Sequence, residues 1–131
     1  MTKKILIVDD ELEICSLLRR FFQREGYQVV TCTDGGGAIT LVNQEHPDLI
    51  ILDMRMSGIS GVEVLRILRE QYGDVKIVML SGVSDEDVVQ ETLRLGADAY
   101  LIKPFRLEHA AQLVDSVMGV KHGAIPPPSL G

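Results

Sequence analysis

Apolar positions along this chain follow two alternating rhythms. Five short runs read as strands: Lys4–Val8 (KILIV), Gln28–Cys32 (QVVTC), Asp48–Leu52 (DLIIL), Val75–Leu80 (VKIVML) and Ala99–Ile102 (AYLI). The first, third and fourth are nearly continuous in Ile, Leu and Val, as strands covered on both faces are. Between the runs, apolar residues recur at helical spacing. Leu12, Leu17, Leu18, Phe21 and Phe22 predict one inward stripe, ended by Gly26. A second helix is predicted from Asp34 to Glu45, stopped before Pro47, with Ala38, Ile39, Leu41 and Val42 inward. The third spans Val62–Tyr72 around Val64, Leu65 and Leu68, and the fourth spans Asp85–Leu95 around Val88, Val89 and Leu93. The last spans Arg106–Met118, with Leu107, Ala110, Leu113, Val114 and Val117 inward, and ends at Gly119. Strictly alternating strands and helices with short connections predict an α/β fold. Its sheet is parallel and its crossovers are right-handed.

The glycine run 35–37 disturbs the second helix, because glycine in a helix costs about 1 kcal/mol relative to alanine. A late or frayed start is expected there. A phosphate-cradling loop is the alternative, but the run lacks both the GxxxxGK[ST] lysine and the GxGxxG spacing. Residues 1–120 read as one folded unit. Beyond them, 121–131 (KHGAIPPPSLG) carries no apolar period and reads as a proline-rich tail or the start of a linker.

Composition narrows the chemistry. In 131 residues, 13 basic against 19 acidic side chains leave a net charge of −6. Such a domain is a poor match for nucleic acid or an anionic membrane. No apolar run is long enough to cross a bilayer. No signal-peptide pattern opens the chain, so the cytoplasm is the expected compartment. Cys15 and Cys32 have no ligand spacing with each other or with the scattered histidines. They are expected to be buried free thiols.

The residues that follow the strands carry the chemistry. Asp9 and Asp10 follow the first strand, Asp53 the third, Ser81 the fourth and Lys103 the fifth. In an open parallel sheet these ends share one edge, where ligands bind. Each residue also has an ordinary explanation. Asp10 with Glu13 has capping-box spacing, Asp53 and Ser81 suit turns, and Lys103 suits a solvated strand end. The fourfold recurrence favours a common site. Three close carboxylates call for a cation. Mg²⁺ (or Mn²⁺), an oxygen-preferring ion that also binds phosphates, fits. A carboxylate can itself accept a phosphoryl group, and Asp53, after the most apolar strand, is the expected acceptor.

The segments IVDDE at 7–11, PDLIILDMRMSGISG at 47–61, MLSG at 79–82 and GADAYLIKPF at 96–105 occur here in this order. Together they resemble the receiver domain of bacterial two-component response regulators, over about residues 3–118. The resemblance implies a doubly wound, flavodoxin-like (βα)5 three-layer sandwich with strand order 2-1-3-4-5. It implies Asp53 as phosphoacceptor, Asp10 as direct metal ligand, Asp9 holding metal-bound water and Arg55 giving a backbone carbonyl to the metal. Lys103 would pair with the phosphoryl group, Ser81 would be the switch hydroxyl and Tyr100 the coupled aromatic. Lys103-Pro104 would be a cis peptide. The phosphodonor would be a sensor histidine kinase or a phosphotransfer protein. A homodimer through the face of helix 4, strand 5 and helix 5 is also implied. Serine at position 57 departs from the proline common in the family. Val83 and the Arg55 side chain stand where the family tunes phosphoryl lifetime.

Three rival readings fit the sequence less well. A haloacid-dehalogenase-type phosphohydrolase needs an acid two residues after its nucleophile, where this chain has Arg55. A flavodoxin-like cofactor binder needs a crevice free of carboxylates. A pseudo-receiver would signal by binding alone.

Overall fold

The two-sided strands are explained by two cores on opposite faces of one sheet. The structure is a computed structural model that describes residues 2–56 and 58–119; position 57 and the stretch 121–131 lie outside the described residues. Its elements are β1 (Lys4–Val8), α1 (Leu12–Arg24), β2 (Gln28–Cys32), α2 (Gly35–Glu45), β3 (Leu49–Asp53), α3 (Gly61–Gln71), β4 (Lys76–Ser81), α4 (Glu86–Arg94), β5 (Ala99–Ile102) and α5 (Leu107–Met118). All pairings are parallel and the strand order is β2-β1-β3-β4-β5. In β1, Ile5 and Ile7 pack with Cys15, Leu18 and Phe22 of α1 and with Ala110 and Val114 of α5. Leu6 and Val8 pack on the other face with Ala38 and Val42 of α2 and with Val64, Leu65 and Leu68 of α3. Alternate residues feed alternate cores, so every fully buried position of β1 is apolar.

Four local expectations are corrected. The buried line of α1 is Cys15, Leu18 and Phe22. Leu12 and Leu17 stay outside, 72% and 40% exposed; a thiol, read as a small hydrophobe, takes the inward position. Cys32 is only half-buried. The second helix starts at Gly35 without delay, with Asp34 as N-cap accepting from Gly37 N at 2.7 Å. The glycines there serve close packing. A Cβ on Gly35 would overlap Ile59 and lie 2.8 Å from Val64 Cγ2, and one on Gly37 would lie 2.9 Å from Cys32 Sγ. In α4 the buried residue is Thr92, whose hydroxyl donates to Val88 O at 2.8 Å, so a polar side chain sits inside without an orphaned donor. Val88 and Leu93 pack against the core as expected.

The strands β3 and β4 run one residue further than the apolar pattern indicates. Asp53 pairs with Leu80 and Ser81 with Ile102. Backbone bonds Met54 N to Leu80 O (2.9 Å) and Lys103 N to Ser81 O (2.7 Å) carry the ladder past the last apolar side chain.

At the opposite edge of the sheet, Arg69 ties α3 to the turns before β4 and β5. It donates to Gly96 O (2.7 and 3.1 Å), Val75 O (2.7 Å), Gly73 O (3.1 Å) and Asp98 Oδ2 (3.1 Å). Arg69→Met keeps the stem and leaves three carbonyls without this donor. A loss of about 2–3 kcal/mol in urea unfolding is expected. A loss below about 0.5 kcal/mol, the size of an ordinary surface change, would contradict the clamp.

Candidate metal and phosphoryl-transfer site

Because β1, β3, β4 and β5 are adjacent, their ends bring the expected residues together. Asp9 is fully buried, Asp53 nearly so, and Asp10 is exposed. Carboxylate oxygens of all three lie within 4.8 Å of one another. The ordinary explanation fails for Asp10. The N-cap of α1 is Glu11, with no side-chain capping bond, so Asp10 is not used as a cap. Asp53 ends a strand, and the turn bond its carboxylate accepts from Arg55 N leaves its other oxygen facing the cluster.

Asp9 Oδ1 accepts from Glu11 N at 2.8 Å. Its Oδ2 is buried and has no hydrogen bond; the Lys103 ammonium stands 3.0 Å away without hydrogen-bond alignment. Asp53 Oδ1 accepts from Arg55 N at 3.3 Å, and Asp53 Oδ2 lies 3.6 Å from Lys103 Nζ. Burial pushes the Asp53 carboxyl up to about 6; the Asp9 charge adds to this and Lys103 offsets part of it. Burial alone would lower Lys103, but Glu11, then Asp9 and Asp53, hold its ammonium above the usual range.

This donor set fits a divalent cation. It offers three convergent carboxylates, one with a buried oxygen lacking a hydrogen bond, and oxygen is the donor that Mg²⁺ takes. The arrangement can hold such an ion beside an acid whose charge is otherwise undercompensated. A concavity of about 400 Å³ beside His46, Asp48 and Tyr72 lies at the other edge of the sheet and takes no part.

The remaining expected residues adjoin the cluster. Ser81 is buried, and its Oγ accepts from Val83 N at 2.9 Å. Tyr100 donates to Val83 O at 3.1 Å and its hydroxyl lies 3.8 Å from Met54 Sδ. The Arg55 side chain points to solvent. Lys103-Pro104 is cis. Three participants escape sequence reasoning. Glu11 meets Lys103 at 2.7 Å across 92 positions, which no local pattern encodes. Gly61 lies against the backbone of Asp53 and Met54; only its place at the end of the 47–61 segment hints at it. Met54 receives Tyr100 from 46 positions away.

Fold and site together define a domain with a carboxylate cluster positioned for metal-assisted phosphorylation. The chain matches the model of the response regulator receiver domain over residues 5–115 and belongs to that family. It is similar to sporulation initiation phosphotransferase F of Bacillus subtilis, 34% identical over 121 residues that make up 92% of this chain and 98% of that protein. It is also similar to the alkaline phosphatase synthesis transcriptional regulatory protein PhoP of the same organism. That match is 44% identical over 80% of this chain, but the chain spans only 44% of PhoP. Among solved structures, the CheX–CheY–BeF3–Mg²⁺ complex of Borrelia burgdorferi matches with a TM-score of 0.86 and 29% identity. It covers 91% of this chain and 90% of that one.

Proposed function

We propose that Asp53 is the phosphoacceptor of a signalling switch, charged by a sensor histidine kinase or a phosphotransfer protein. One observation carries this. Asp53 ends the central strand with its carboxylate beside two further carboxylates, the Lys103 ammonium and, on the neighbouring strand, Ser81. Asp10, Asp53 and the Arg55 carbonyl would hold the metal, with Asp9 engaged through water. When bound, Mg²⁺ supplies charge neutralisation for the carboxylates and the phosphoryl oxygens. Asp53 Oδ attacks phosphorus, the donor's leaving group departs, and Lys103 balances the about −1.5 to −2 charge that arrives. The domain thus catalyses only its own modification.

The switch rests on one residue, Val83. Ser81 grips Val83 N while Tyr100 grips Val83 O. A Ser81 hydroxyl drawn to a phosphoryl oxygen releases Val83 N and changes the setting of the Tyr100 partner. That differential contact biases a two-state equilibrium. Leu12 and Leu17, exposed on α1 near the cluster, offer apolar contact to the phosphodonor protein. Ile102, 40% exposed on the last strand, supports a homodimer through the α4–β5–α5 face. The receiver unit is assigned to residues 1–120. The net charge of −6 leaves direct nucleic acid binding to another domain or partner.

Incubation with acetyl phosphate should raise the intact mass by one phosphoryl group in Mg²⁺ and not in excess chelator. No gain from a folded protein that binds Mg²⁺ would turn the reading to a phosphorylation-independent interaction module.

A further inference from the structure

We propose that Glu11 is a positioning residue that withholds Lys103 from Asp53. The inference rests on Asp53 as acceptor and concerns regulation of that site. Lys103 Nζ faces three carboxylates at unequal distances: Glu11 at 2.7 Å, Asp9 at 3.0 Å and Asp53 at 3.6 Å. The nearest belongs to a residue with no metal or acceptor role. The place of Glu11 is fixed, since its amide donates to Asp9 Oδ1. Glu11 is also the N-cap residue of α1. Its side chain makes no capping bond and turns to Lys103 instead.

The consequence is competition. A phosphoryl group on Asp53 needs the same ammonium, and Glu11 must share or release it. The side chain of Glu11 is 60% exposed, so its hold is that of a solvated ion pair, weak enough to be overcome and strong enough to set a rate.

The test compares the parent with Glu11→Gln and Glu11→Asp. One reading is the rate of phosphoryl uptake from acetyl phosphate at saturating Mg²⁺. The other is the beryllofluoride concentration that half-saturates the site, which a merely structural role would not move. Glu11→Gln should raise the rate roughly two- to five-fold, the span of an exposed ion pair, and lower the half-saturating concentration alike. Glu11→Asp keeps the charge but is one methylene too short for the 2.7 Å contact; it should resemble Glu11→Gln. High salt should narrow the gap by screening. Unchanged variants, a slower Glu11→Gln, or a Glu11→Asp that matches the parent would overturn the proposal. Asp53→Asn serves as the blank. A parent that takes up no phosphoryl group overturns the acceptor assignment itself, whereas a modified parent with unaltered Glu11 variants overturns only the role of Glu11.

Discussion

Asp53→Asn should abolish phosphoryl uptake and, in metal-free buffer near neutral pH, make the protein harder to unfold. Both effects follow from the same burial. The carboxyl is raised from 3.8 to about 6 because it is desolvated beside Asp9, with Lys103 offsetting only part of the cost. Between those two values the folded state binds more protons than the unfolded one, so stability falls as pH rises through this window. Above it the full penalty applies, about 3 kcal/mol at most on the scale of 1.36 kcal/mol per pKa unit. Asparagine is close in shape and carries no charge. The variant should therefore be more stable than the parent by about 1–3 kcal/mol above pH 6, with the difference closing near pH 4. Mg²⁺ should reverse the order, since an ion bound only by the folded parent stabilises it by about 4.1 kcal/mol at a thousandfold excess over Kd. Urea melts at two pH values, with chelator and with Mg²⁺, measure all four quantities. An Asp53→Asn variant that is less stable than the parent in chelator at pH 7.5 would contradict the account.

Gly61→Ala should be the most damaging small substitution near the site. Gly61 N donates to Met54 O at 2.9 Å, which draws the start of α3 onto the chain leaving β3. A methyl group there would overlap the Asp53 carbonyl oxygen and stand 2.7 Å from Met54 Cα. Those neighbours are backbone and have no rotamer to change. Relief requires moving α3 or the Asp53 peptide. About 3 kcal/mol is expected, the upper end for overpacking, together with weaker Mg²⁺ binding as the acceptor shifts. Gly73→Ala, which meets nothing within 4 Å, is the control. Equal stability and Mg²⁺ affinity for the two variants would refute the close-approach argument.

The fold was legible where one force dominates. The runs 4–8, 28–32 and 99–102 match strands β1, β2 and β5 residue for residue, the partly buried edge strands β2 and β5 included. The errors lie where packing competes with composition. Leu12 and Leu17 were hydrophobic enough to be placed inside, but the helical phase that seats Leu18 and Phe22 turns them outward. Backbone entropy argues against Gly35 in a helix, while its missing side chain is what lets α2 approach Ile59 and Val64. Asp9, Asp10 and Asp53 were legible because strand ends converge by topology. The contacts of Lys103 with Glu11 and of Tyr100 with Val83 depend on how long side chains cross between loops. Spacing along the chain does not specify that.

The Arg69 clamp has a mechanical consequence. Just past the carboxyl end of α4, Gly96 O is held by two bonds from Arg69. The amino end follows residues 82–85, which are mostly exposed. A rod fastened at one end is a crank. If Val83 were released as the proposed switch requires, displacement would be greatest at the amino end and fade toward Gly96. The nine residues of α4 make an arm of about 13 Å. A shift of about 1 Å at its amino end turns the axis by about 4° at that length. Under the proposed switch, movement of Ser81 would emerge at the surface as a change of angle, which a partner lying along α4 would feel over its whole length.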